Sequence, residues 1–374
     1  MNENPLVRLN RMGQSVWYDN IRRGLLESGE LLSMVRAGEL RGVTSNPTIF
    51  EDAIAHTEEY HSALQILSQK RFTAEQAYEQ LALDDIRAAA DVFLPVYEES
   101  RGADGYISLE VSPALALDSE ATWKEAGRLK RAVDRPNLMI KIPGTLSCLD
   151  AIRRTIADGI CVNVTLLFSV HRYRKVMEAY AAGLEDRVSR RLPLDTVSSV
   201  ASFFVSRLDT LIDRKLDQMT GNDTLSSSEL QSLRGKAAIT NTRLAYQEFL
   251  AFRGSQRWLD LSALGARLQR PLWASTSTKD PSFPDTYYVE ALIAPDSVNT
   301  MPPATIAAYR DHGNPAIRIG NDLEEARALP GQLAQIGISL EQATNQLETD
   351  GIEAFQRSFQ SMLAVVENRL SKER

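Results

Sequence analysis

The chain has 374 residues, 43% of them hydrophobic and 24% charged, which is the composition of a globular protein with a large core. A net charge of −7 and a pI of about 5.4 give a nucleic acid partner no electrostatic support, although a local cluster of positive charge could still hold a small anion. No run approaches the roughly eighteen apolar residues of a membrane span.

Short β-like runs alternate with amphipathic helical stretches. The strands expected in chain order are "SVWYD" (15–19), "GVTSN" (42–46), "GYISLEVSP" (105–113) and "NLMIKIP" (137–143). They continue with "ICVNVTLLF" (160–168), "VSSVASFFV" (197–205), "PLWASTS" (271–277) and "DSVNTMP" (296–302). Between them lie helices such as 119–134 and 170–185, several preceded by a serine or aspartate able to cap them. Eight strand–helix units predict a (β/α)8 TIM barrel, which forms one domain over 1–374. Extra helices are expected at 47–100, two helical stretches around a polar loop at 206–270, and a helical tail at 322–374 packed on the outside of the barrel, where it either covers the active-site mouth or buttresses the wall.

Side chains alternate across a strand, and in a barrel the outward face packs on helices and is apolar. The polar positions therefore point inward: Asp19, Thr44, Asn46, Ser108, Glu110, Lys141, Asn163, Thr165 and Ser202. The same alternation puts Val162, Val164 and Leu166 outward, and Trp17, Trp273, Ser275 and Ser277 inward. Hydrogen-bonded serines and threonines are commonplace in cores. A lysine with two carboxylates is not, because ionisable groups are costly to bury and cluster at functional sites. A structural ion pair between Lys141 and Glu110 is the competing explanation.

Burial disfavours an ammonium, and a neutral lysine amine can attack a carbonyl to form a Schiff base. The protonated imine withdraws electrons, so a neighbouring C–C bond can break, with Asp19 and Glu110 moving protons. This is class I aldolase chemistry and needs no metal and no cofactor. Nothing in the sequence argues for either: "HTEEYH" (56–61) lacks the HExxH zinc spacing, and no phosphate loop or GxGxxG occurs. Cys148 and Cys161 form no CxxC and read as small buried hydrophobes, while "MNENPLVRLNRMGQ" lacks a signal peptide's apolar run, so a cytoplasmic protein is expected.

Seven stretches resemble transaldolases, in family order: "GVTSNPTIF" (42–50), "SLEVSP" (108–113), "MIKIPGT" (139–145), "CVNVTLLFS" (161–169), "ASFFVSRLDT" (201–210), "LWASTSTKDPSFPDTYY" (272–288) and "LIAPDSVNTMP" (292–302). The helical tail is typical of the longer bacterial and plant-type members. The resemblance implies that Lys141 is the Schiff-base lysine, that Asp19 takes the proton from the substrate hydroxyl, and that Glu110 acts with Thr165 through a water. It implies that Thr44, Asn46, Ser108, Asn163 and Ser202 bind sugar hydroxyls, that Phe204 shapes the pocket and that Arg207 binds phosphate. Shorter transaldolases place Ser-Phe-Arg after the seventh strand; here Ser275 matches the serine, the arginine is missing, and Lys279 is the nearest cation. The implied reaction moves a dihydroxyacetone unit from sedoheptulose 7-phosphate to glyceraldehyde 3-phosphate. The alternatives are a lyase of the fructose-6-phosphate aldolase type and a non-catalytic sugar-phosphate-binding barrel. Sugar phosphates are the expected partners, with no nucleic acid and no membrane, and a homodimer is the assembly to be tested.

Overall fold

A computed structural model describes residues 3–45, 47–219 and 226–373. Eight parallel strands close into one barrel in chain order: β1 (Gln14–Asp19), β2 (Gly42–Thr44), β3 (Tyr106–Glu110), β4 (Leu138–Pro143), β5 (Cys161–Leu167), β6 (Ser199–Phe204), β7 (Gln269–Ala274) and β8 (Ser297–Met301). Each falls within three residues of an expected strand at both ends, because runs rich in β-branched and aromatic residues between turn signals favour extended backbone. Several helices begin where a side chain accepts from an otherwise unpaired backbone N–H. Asp118, Ser169, Ser255 and Ser339 each do so, and Thr73 forms a reciprocal capping box with Gln76.

The lower half of the barrel is a packed core. Trp17, Tyr106, Met139, Cys161, Val200, Leu272, Ala274 and Val298 form a buried cluster of their own inside the sheet. Gly42 is required there: a Cβ at that position would lie 2.5 Å from the Trp17 ring. The N-terminal end is closed by charge, Arg270 donating to both Asp104 (2.8 Å) and Ser15 (2.8 Å).

Three local expectations change. Trp273 points outward, against Phe203 and Tyr246, with its Nε1 donating to the Leu292 carbonyl at 3.0 Å. Its neighbours Leu272 and Ala274 take the inward positions, since the helical layer accommodates the indole and the narrow barrel suits the smaller residues. In β5 the alternation ends at Thr165: Leu166 has a left-handed backbone (φ 59°), and the pairing with β6 shifts register between Val164 and Leu167. Leu166 therefore faces the mouth of the barrel rather than only the helices. The described residues of 206–270 hold four helices rather than two: Ser206–Met219, Ser227–Leu233, Ala237–Arg253 and Gln256–Ala263.

The tail forms two helices, Leu323–Gln335 and the 33-residue Leu340–Lys372. The second does not simply buttress the outside. It crosses the C-terminal mouth, fixed by Glu348 to Arg172 (3.4 Å), by Ser358 to Thr48 (2.8 Å) and by the Ser68 hydroxyl donating to the Leu370 carbonyl (2.9 Å).

Candidate active site

The C-terminal ends of the strands, the loops beyond them and the tail helix enclose a cavity of about 950 Å³. Its floor is built by strand register. Parallel pairing sets Glu110 beside Lys141 and Lys141 beside Asn163, so inward side chains stand side by side on three adjacent strands. Lys141 Nζ lies 2.9 Å from Glu110 Oε2 and donates to the Ser45 carbonyl at 3.3 Å. The two side chains are only 11% and 9% exposed, so this ion pair is largely dry. Burial pushes the Glu110 carboxyl up, opposed by the charge and hydrogen bond of Lys141 and reinforced by the charge of Asp19.

Asp19 ends β1 and accepts from the Thr44 hydroxyl at 2.8 Å, and Thr44 also contacts Thr300 Oγ1 at 2.9 Å. Asp19, Thr44, Glu110, Lys141, Thr165, Ser202, Phe204, Arg207, Ser275 and Lys279 all line the cavity. Ser108 and Asn163 do not. They lie fully buried just beneath it, where Asn163 donates to Ser108 (3.0 Å) and accepts from Ser202 (2.7 Å), so they orient Ser202 rather than face the open space. Asn46 lies outside the described residues.

The far wall carries positive charge. Arg207, at the start of the helix after β6, lies over the Phe204 ring with 5.2 Å between guanidinium and centroid. It is open to the cavity, yet enough protein surrounds it that desolvation holds its guanidinium below the ordinary value. Among the described residues no carboxylate pairs with it or with Lys279. Two cations without carboxylate partners on one wall suit an anionic group on a ligand. Ser275 lines the same cavity, its backbone left-handed (φ 57°) and its hydroxyl 3.0 Å from that of Ser206.

Several lining residues were not among the sequence candidates. Thr300 is the most accessible to sequence reasoning, since it is a polar residue on the same face of its strand as the inward Val298. Gly351, Ala354, Phe355 and Ser358 come from the tail helix, and only the tertiary fold brings them to the site. Among the described residues no group of three His, Cys, Asp or Glu side chains is arranged to hold a metal ion.

A closed parallel barrel with a lysine on its fourth strand, facing a cavity at the C-terminal end, has the class I aldolase architecture. Residues 16–366 match the family described as transaldolase/fructose-6-phosphate aldolase, and the chain belongs to that family. It is 45% identical over 375 residues to a transaldolase of Trichodesmium erythraeum, covering 99% of this chain and 98% of the relative. A transaldolase of Thermobifida fusca is 45% identical over 98% of both chains, and a protein named transaldolase 2 of Nostoc punctiforme is 44% identical over 99% of this chain and 98% of its own.

Proposed function

We propose that the chain is a transaldolase, a transferase that moves a three-carbon ketol unit between sugar phosphates through a Schiff base on Lys141. The observation that carries this reading is the dry Lys141–Glu110 pair on the floor of a cavity with unpaired cations on its wall. A buried carboxylate with raised proton affinity accepts a proton from the neighbouring ammonium more readily than an exposed one would. The freed amine attacks the C2 carbonyl of the ketose, and the carbinolamine loses one water to give the imine. Asp19 then takes the proton of the C4 hydroxyl, the C3–C4 bond breaks, and the electron pair moves into the imine to leave an enamine. The departing aldehyde is replaced by an acceptor aldehyde, the bond re-forms, and water releases the new ketose. Thr165, which lines the same cavity, acts with Glu110 in the two water steps, and Thr44, Ser202 and Phe204 contact the sugar.

Sedoheptulose 7-phosphate as donor and glyceraldehyde 3-phosphate as acceptor fit this scheme, with the distal phosphate on Arg207 and, in place of the missing arginine, Lys279 and Ser275. A single barrel domain, a cytoplasmic location and a homodimer belong to the same reading; light scattering tests the last. The deciding experiment is borohydride reduction in the presence of fructose 6-phosphate, followed by mass mapping. An adduct on Lys141, with erythrose 4-phosphate as acceptor giving sedoheptulose 7-phosphate, supports the reading. An unmodified Lys141 in folded protein refutes it, and an adduct with release of aldehyde but no transfer makes the chain a lyase.

A further inference from the structure

Glu110 is a wall between two cavities. On its far side from the main site lies a second space of about 210 Å³, reaching out between the helices Ala74–Glu99 and Ser119–Val133. Glu110 and Phe355 line both spaces, and Ser45, whose carbonyl accepts from Lys141, lines the second. The second space has room for several water molecules and enough polar atoms to hold them. Tyr78 lies along it, its phenol pushed up by burial and by the charges of Glu110 and Glu79, so that it remains a neutral donor. At the rim Arg128 bridges Glu79 and Glu125 with contacts of 2.6–2.8 Å, tying the two helices together across the outer end.

The proposed reaction sets two conflicting demands. The main cavity must keep bulk water from the enamine while it waits for an acceptor. Yet each turnover expels one water when the imine forms and consumes one when it is hydrolysed, both at the Lys141–Glu110 end, while a sugar phosphate fills the front of the site. We propose that the space behind Glu110 is a water inlet, through which that single water arrives and leaves without passing the substrate. Glu110 then passes a proton to or from a water that approaches on its rear face.

This inference rests on the Schiff-base reading, and the test separates the two. Passage through the imine replaces the C2 oxygen of the ketose by one from solvent. The rate at which fructose 6-phosphate acquires ¹⁸O from labelled water, after subtraction of the enzyme-free rate, therefore reports the water steps. Ala82→Phe fills the rear space from one helix and Leu129→Phe from the other; both positions line it and neither touches the main cavity. A kinetic inlet predicts that oxygen exchange slows about tenfold in a filled variant, while the fraction of Lys141 trapped by borohydride at equilibrium is unchanged. Exchange at the parent rate in either folded variant overturns the inlet. So does a parallel loss of exchange and trapping in both, which would mean that filling the space disturbs Lys141 itself. No adduct on Lys141 in the unsubstituted protein fails the Schiff-base reading before the inlet is reached.

Discussion

Replacing Lys141 by methionine tests both the chemistry and the electrostatics of the floor. Turnover and the borohydride adduct disappear, and the stability change carries a pH signature that can be worked out from the pair. Removing one partner of an ion pair this dry is destabilising by about 3–5 kcal/mol when the survivor stays charged. Here the survivor can protonate. Burial and the charge of Asp19 raise the Glu110 carboxyl, and only Lys141 opposes them; without the lysine the raising causes act alone. A carboxyl raised in the fold contributes its stability below its unfolded pKa and loses it as pH rises through the folded one. The deficit of Lys141→Met relative to the parent is therefore small near pH 5 and greatest near pH 8. At about 2.1 cal/mol/K per residue the unfolding entropy of this chain is roughly 0.8 kcal/mol/K, so the full loss lowers Tm by about 4–6 °C. Calorimetry of both proteins from pH 5 to 8 measures it, and adding Glu110→Gln to Lys141→Met recovers most of the loss. An equal fall at pH 5 and pH 8 refutes the argument, as would no fall at all.

Asp19→Asn keeps a group that can accept from Thr44 but cannot take a proton, so transfer slows by about 10²–10⁴-fold while trapping on Lys141 persists. Arg207→Ala raises KM for a ketose phosphate about ten- to a hundredfold and leaves an unphosphorylated ketose unaffected; equal effects on both would place the phosphate elsewhere. Asp209, buried and accepting from the Ala238 N–H and the Tyr288 hydroxyl, is pushed up to about 7, mainly by burial. Its contribution is present below pH 4 and lost as pH rises through 7, on the order of 4 kcal/mol in all, so Asp209→Asn flattens that slope in urea melts taken from pH 5 to 8. At Gly351 a Cβ would meet Leu166 and Phe168 at 3.4 Å, so Gly351→Ala is tolerated, whereas Gly351→Leu displaces the tail helix and increases aldehyde release without acceptor relative to transfer.

What could be read from the sequence is what is physically costly. Eight extended runs show as strands because each needs apolar residues on its helix-facing side, and Lys141, Glu110 and Asp19 stand out because a barrel lumen does not carry charge without cause. Alternation says which residues share a face but not which face is inner, so it assigns Trp273 to the lumen although the indole packs among the helices. The left-handed turn at Leu166 involves a residue type that seldom adopts it, so no local signal announces it. Ser108 and Asn163 share the inward face with the site residues but sit one layer too deep, a matter of strand stagger rather than of pattern. The tail reads as helix throughout, yet its course over the mouth depends on contacts such as Glu348–Arg172, whose partners lie nearly half the chain apart.

The sources of the lining residues carry a functional argument. Every titratable group close to the reacting carbons comes from a strand: Asp19 from β1, Glu110 from β3 and Lys141 from β4. Hydrogen-bonded strands fix these groups to within a fraction of an ångström, which proton transfer requires. The cations that would hold a distal phosphate come from beyond β6 and β7, where a charge need only be near its target. The tail helix contributes Gly351, Ala354, Phe355 and Ser358, none of which ionises. A roof with chemistry of its own would offer the enamine a stray proton. A tail helix of small, apolar and hydroxyl side chains narrows the mouth without adding a proton donor, which favours capture of the intermediate by the acceptor aldehyde, the condition that separates a transferase from a lyase built on the same lysine.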